Sequence, residues 1–378
     1  MTTVKALAAT HTLICLFALL LVLPLLSVQT DGDGIRVSGR NDAVTILFNY
    51  AGAEALLDVF DRTLFTDADI AKLLDIRGVS AMVDNVARYT PVYDRARFGV
   101  ELRDFGQTQK TFTSPFAFDR VFRTRQETRT LITTLRANET TLIRELQTRL
   151  EPYRPPIGPL TVTGYFVVGG SSDGFVLDRD DEPAFFVALD VANGDVIGVR
   201  LNMAHELYHV MQKAAAKHVT NLAAIVRDPT QLSPPERLLA TTLWEGSATF
   251  AADALKFEGT GPDIDVWHSR AKRNAEPARI KENFALFDTT LADLRAGHVT
   301  WDDVQKIGFS GNNDARFYAV GYEMAKSIEH YRGAGRIGEL FEQSPYAFFW
   351  EYISRYRKHP EISARFASAT EAYCENLR

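Results

Sequence analysis

The hydrophobic repeat of this chain changes period near residue 155, and that change does most to limit the folds open to it. Before it, Leu131, Leu135, Leu142, Leu146 and Leu150 recur at helical spacing, with arginines and glutamates on the remaining face. Ser114-Pro115 supplies the start signal for that long helix, a capping residue followed by the proline favoured in a first turn. Pro152, Pro155 and Pro156 stop it and mark an internal boundary. The segments 160–168 (LTVTGYFVV) and 184–189 (AFFVAL) that follow are short, β-branched and aromatic, as strands are. From about Val196 the helical period returns and holds almost to the end. The expected fold class is α+β: mostly helical, with a small β-sheet placed before a long helix.

Between the two strand segments lies Gly169-Gly170-Ser171-Ser172-Asp173-Gly174. No Gly-Lys-Ser/Thr follows and no helical pattern opens there, so a hairpin loop is expected rather than a phosphate cradle. Upstream, residues 31–40 read as a flexible lead-in. Residues 41–61 read as helix, from Val44, Phe48, Ala51, Ala55 and Val59, with more helix through Tyr89.

The first thirty residues differ in kind. Lys5 precedes a nearly unbroken apolar run at 13–26, and polar residues arrive at once at 29–33, the pattern of a secretory signal peptide. The run falls short of the roughly 20 apolar residues of a comfortable bilayer span. No clean small-x-small cleavage site precedes Thr30, so an uncleaved N-terminal anchor stands as the alternative. Export, to the periplasm or beyond the cell, is the expectation either way. With Cys15 inside this segment, only Cys374 remains, which allows no internal disulfide and leaves nitrogen and oxygen to hold any metal. Lys plus Arg total 42 against 48 for Asp plus Glu, a net charge of -6 that carries no footprint for nucleic acid.

The chemistry concentrates in Met203-Ala204-His205-Glu206-Leu207-Tyr208-His209-Val210. Ile197, Leu201, Ala204, Tyr208, Met211 and Ala215 form an amphipathic stripe, so this segment is helical and its two histidines, four apart, face one spot. Two imidazoles one turn apart make half of a tetrahedral zinc site. Glu206, beside the first, is placed to act as general base on water at the cation. Arg200, Asn202, Lys213 and Lys217 make this helix too polar to span a bilayer. By residue abundance alone, His-Glu-x-x-His arises in roughly one chain in a hundred of this length, so a second element has to support it.

That element is Ser233-Pro234-Pro235-Glu236, a capping box with proline in the first turn, opening a helix that carries Trp244-Glu245-Gly246-Ser247-Ala248 in an otherwise small, apolar stretch. A buried carboxylate there needs a partner, and a cation is one; given the upstream motif, this reading is preferred to an exposed glutamate beside a tolerated glycine. Gly246 weakens a helix by about 1 kcal/mol, which points to the close approach of another element.

His205-Glu206-x-x-His209 followed by Glu245-Gly246-x-Ala248 resembles the gluzincin group of zinc metallopeptidases, over roughly residues 160–345, and is similar to bacterial families of zinc-dependent peptidases. The resemblance implies one zinc ion on His205, His209 and Glu245, with Glu206 as catalytic base and a peptide or protein as substrate. It also implies that the strand at 185–189 lies along an extended substrate by strand addition. The interval 210–244 is longer than in the best-known aminopeptidase branch. Thr249 stands where thermolysin-like members carry an aspartate; Asp253, one turn on, could orient a ligand histidine instead. Hydrolysis also needs an oxyanion donor, for which Tyr318 and then Tyr322 stand forward in a Tyr-x-x-Gly-Tyr pattern similar to a late helix of those families, core tyrosines being the competing reading. His268, His298 and His330 lack supporting context.

The chain thus divides into a signal peptide or anchor (1–30), a helical N-terminal region (31–156) and a zincin-like catalytic domain (157–378). Hydrolysis of a non-peptide amide or ester, or an exported binding protein with a vestigial site, are the alternatives to a peptidase.

Overall fold

Val44, Ile46 and Phe48 alternate with less buried neighbours, and this two-residue period makes the first strand of the main sheet, β3 (Val44–Asn49). The same positions look helical because residues 44 and 48 satisfy a period of two and of four equally. The helix expected over 41–61 is therefore corrected to a strand followed by α1 (Ala51–Phe60). In this computed structural model the described residues are 44–62, 66–108, 113–177, 182–217, 219, 223 and 228–377, with the backbone of β1 (Ser27–Asp31) and β2 (Gly34–Ser38). Those two strands pair antiparallel where a flexible lead-in is expected. The apolar segment at 13–26 lies outside the described residues, and among these no helix is long and apolar enough to cross a membrane.

After α1 come α2 (Asp67–Asp75), α3 (Arg77–Tyr89), α4 (Arg95–Thr108), α5 (Phe118–Ala137) and α6 (Glu139–Leu150). The long helix expected from Ser114 starts later: Ser114 caps a turn through the Phe116 N–H, and Ala117 takes a left-handed conformation before α5. It also breaks at Asn138, yet Leu131, Leu135, Leu142, Leu146 and Leu150 are all buried, because the seven-residue interval spans the break.

The sheet is completed by β4 (Leu160–Val167), β5 (Gly174–Phe175) and β6 (Ala184–Ala188), in the order β3-β4-β6-β5. β3, β4 and β6 run parallel, and β5 folds back antiparallel on the outside of β6. The expected hairpin between β4 and β6 is thus a parallel connection with an extra strand inside it. Gly169 and Gly170, both at positive φ, turn the chain out of β4, where a side chain on Gly169 would strike the Phe116 carbonyl. β6 is buried along its whole length and paired on both sides. The strand-addition edge expected at 185–189 is therefore interior, and the edge strand beside it is β5, with β3 at the other edge of the sheet. The sheet also straddles the proline boundary, since β3 precedes it and β4 follows it.

α7 (Val196–Ala216) leaves the sheet from a cap at Asp195, whose Oδ1 accepts the Ile197 and Gly198 N–H groups. Its Oδ2 accepts the Asp263 and Ile264 N–H groups at the start of a later helix, so one carboxylate joins two helix ends. α8 (Pro234–Ala251) begins with the expected capping box between Ser233 and Glu236. There follow α9 (Ile264–Asn274), α10 (Pro277–Ala296), α11 (Trp301–Val304), α12 (Arg316–Arg332), α13 (Gly335–Glu339), α14 (Tyr346–Lys358) and α15 (Ser368–Asn376). The molecule is α+β and mostly helical, as the period change predicts.

Candidate functional site

α7 and α8 pack side by side, and their facing sides carry the three residues that the sequence singles out. His205 Nε2 lies 3.0 Å from His209 Nε2. Glu245 Oε2 lies 3.5 Å from the first nitrogen and 3.3 Å from the second. Four tetrahedral ligands at the usual zinc bond lengths sit about 3.3 Å from one another, so the triangle has the dimensions of three zinc ligands. Among the described residues this is the one group of three or more His, Cys, Asp or Glu side chains close enough to share a metal ion.

The electrostatics fit a cation. Burial opposes charge on His209, yet the Glu245 and Glu206 carboxylates outweigh it and push the imidazole up to about 9. Burial likewise raises Glu245, and the two imidazoles outweigh it and hold this carboxyl below its ordinary range. His205 goes the other way, lowered by burial. Glu245 thus already holds positive charge at this spot, as a proton on His209, and a metal cation would take that proton's place.

Gln212 fixes how His209 presents itself. Its amide nitrogen donates to the Trp244 carbonyl and to Ser247 Oγ, both at 2.9 Å, so its oxygen is the acceptor for His209 Nδ1–H at 2.6 Å. With Nδ1–H committed to Gln212, Nε2 is the nitrogen that faces Glu245: it donates to that carboxylate when the ring is protonated and is the atom left to bind a metal when it is not. Trp244 stacks on the same ring at 5.6 Å. Sequence reasoning missed Gln212, Trp244 and Ser247; the available signal was their spacing of three from His209 and of one and two from Glu245. Asp253, expected to orient a histidine, instead accepts the Leu255 N–H and bonds the Tyr322 hydroxyl.

Glu206 is buried and faces β5, where a Cβ on Gly174 would lie 2.7 Å from Glu206 Cγ and 2.9 Å from its Oε1. Only a bare backbone can pass there, which gives the last glycine of the supposed hairpin loop a steric role. Burial, helped by Glu245, pushes Glu206 up to about 8. Tyr318 comes from α12 and lies against Glu245 and Glu206, with its ring 6.4 Å from that of His205; burial and both carboxylates keep its hydroxyl protonated. Tyr322, one turn on, is held at Asp253. His268 donates toward the Ala254 and Phe257 carbonyls, and His298 sits exposed beside Asp293. His330 packs edge-on against Tyr331. None of the three joins the group.

α12 reaches the site through a helix crossing without side chains. A Cβ on Gly246 would lie 2.3 Å from Gly321 Cα, and one on Gly321 would lie 2.4 Å from the Thr242 carbonyl oxygen. The close approach that Gly246 signals in the sequence is this one. It sets Glu245 and Tyr318 beside each other.

Two cavities meet at Gly174, His205, Glu206, Phe309 and Tyr318. One is a cleft of about 1450 Å³ running past Tyr89, Phe175, Trp244 and Trp301. The other, of about 350 Å³, is walled by α7, α9 and α12. Residues of α3 line the large cleft, so the N-terminal region builds part of it.

A family model described as "Putative zinc dependent peptidase (DUF5700)" matches residues 70–361. No curated protein and no solved structure matches the chain. The family match takes in β4 to β6, α7, α8 and α12, and so the whole of the three-residue cluster with its neighbours; over most of its length, the chain belongs to this zinc-dependent peptidase family.

Proposed function

We propose that the chain is a metallopeptidase of gluzincin type, with one zinc ion held by His205, His209 and Glu245. The observation that carries this reading is the spacing of the three donor atoms on two adjacent helices. Zinc, when bound, supplies a Lewis acid that polarises a carbonyl and brings the pKa of water toward about 7.

The chain's own residues do the rest. Glu206 takes a proton from the attacking water and returns it to the leaving amine; its burial keeps its proton affinity near neutrality, where a general base works best. Tyr318 donates its hydroxyl to the oxygen that gains charge as the carbonyl carbon becomes tetrahedral. The free edge of β5, at Gly174 and Phe175, pairs with an extended substrate and lays it across Glu206. A cleft of about 1450 Å³ exceeds the roughly 300–1,000 Å³ of small-ligand pockets and suits a polypeptide. Export through the segment at 13–26 belongs to the same proposal.

Elemental analysis paired with peptide-library cleavage tests this. Glu206→Gln retains one zinc per chain and loses hydrolysis, and His209→Ala loses the metal. Folded parent protein that takes up no zinc would end the reading.

A further inference from the structure

β5 runs along the boundary of both cavities. Asp173 and Gly174 line the small one, while Gly174, Phe175, Val176 and Leu177 line the large cleft. A peptide paired antiparallel to this edge, the commoner pairing, runs from Leu177 toward Asp173. Its amino-terminal part then lies in the large cleft, and its carboxy-terminal part enters the small cavity. At about 350 Å³ that cavity is near the lower end of small-ligand pockets, a size that suits a short peptide end.

Of the Lys and Arg side chains that line the small cavity, Lys326 is ion-paired and Arg270 is not. Asp314 is bound by Arg273 and Arg279. Lys326 pairs with Glu323 at 3.6 Å. Asp253 is taken by the Leu255 N–H and the Tyr322 hydroxyl. Arg270 lies against Trp267, with its guanidinium 4.8 Å from the ring centroid, and forms no ion pair with the described residues. Asp173 and Asp263 are within its electrostatic reach and not in contact with it. A guanidinium held by an aromatic face in a confined space has the geometry to take a carboxylate through two parallel N–H donors. In the same wall Asn202, 6% exposed, has an amide nitrogen without a partner. Such a group is stabilised by an acceptor that comes with a ligand.

We infer that the small cavity receives the carboxy-terminal end of the substrate, with its terminal carboxylate on Arg270, so that the enzyme releases short fragments from that end. This rests on the peptidase reading of the same site. Arg270 is the specificity residue here.

Calorimetric binding to the zinc-loaded full chain carrying Glu206→Gln tests the inference without turnover. The probes are N-acetylated tripeptide acids, the matching amides, and amides ending in Glu or in Gln. The free acid is expected to bind at least tenfold more tightly than its amide. Adding Arg270→Gln should abolish that difference at unchanged zinc content, and Arg270→Lys should keep part of it. Equal binding of acid and amide overturns the inference. So does an amide ending in Glu that binds as tightly as the acid, which would assign the carboxylate to a side chain. The two readings fail separately: equal binding while the parent still cleaves peptides sinks only this inference, whereas a parent that cleaves no peptide sinks the peptidase reading beneath it.

Discussion

Gly246→Ala sets two effects of opposite sign against each other at the crossing of α8 and α12. In an isolated helix the change is favourable by about 1 kcal/mol, because glycine loses more backbone freedom on folding. Here the new methyl carbon would stand 2.3 Å from Gly321 Cα and 2.5 Å from its carbonyl carbon. Carbon atoms pack best at about 3.5–4.0 Å, so the helices must part by about 1.2 Å. Both obstacles are backbone, and no rotamer change can relieve them. Overpacking of this kind costs about 1–3 kcal/mol, and the upper end applies where backbone has to move. The steric effect wins, with a net loss of about 2 kcal/mol. Glu245 is the preceding residue, and a displacement near 1 Å exceeds the roughly 0.2 Å that a metal–ligand bond tolerates. Zinc affinity should therefore fall at least tenfold. Urea unfolding of the metal-free protein reads the first effect, and competition with a chromophoric chelator reads the second. A variant as stable as the parent, with unaltered zinc affinity, refutes the idea that this crossing sets the position of Glu245.

On the proposed mechanism Tyr318→Phe should lower kcat by roughly 10²–10³ with zinc content unchanged, since only the hydroxyl assigned to the oxyanion is removed; steady-state kinetics with elemental analysis checks it. Gln212→Ala should weaken zinc binding by roughly 10–100-fold, because His209 loses the acceptor that fixes its tautomer, and chelator competition measures it. Asp263 is pushed up to about 6, chiefly by burial and then by Asp173 and Asp195. Its folded pKa lies above the unfolded value of 3.8, so its contribution to stability is complete below that value and is lost as pH rises through about 6. The loss amounts to about 3 kcal/mol at most, and Asp263→Asn should flatten this part of the stability–pH curve measured by urea unfolding.

His205, Glu206 and His209 are legible in the sequence because an α-helix has a fixed period: once Ile197 to Ala215 is recognised as an amphipathic stripe, residues four apart must face together. Glu245 is legible in part, since the Ser233–Glu236 capping box defines its helix and Gly246 announces a near neighbour. The sheet is harder to read. Strand segments show in their composition, but pairing partners do not, so β4 and β6 look like a hairpin although they run parallel with β5 outside them.

Local periodicity and capping chemistry, written in the order of residues, settle the fold class and the half of the site carried on one helical turn. Only the tertiary structure decides the rest: that Gly321 is the neighbour Gly246 awaits, that Gln212 rather than Asp253 holds an imidazole, and that Gly174 passes over Glu206. Each of these is a contact between segments distant along the chain or a choice among rotamers. Such contacts depend on how whole elements pack, and no short window of sequence encodes that.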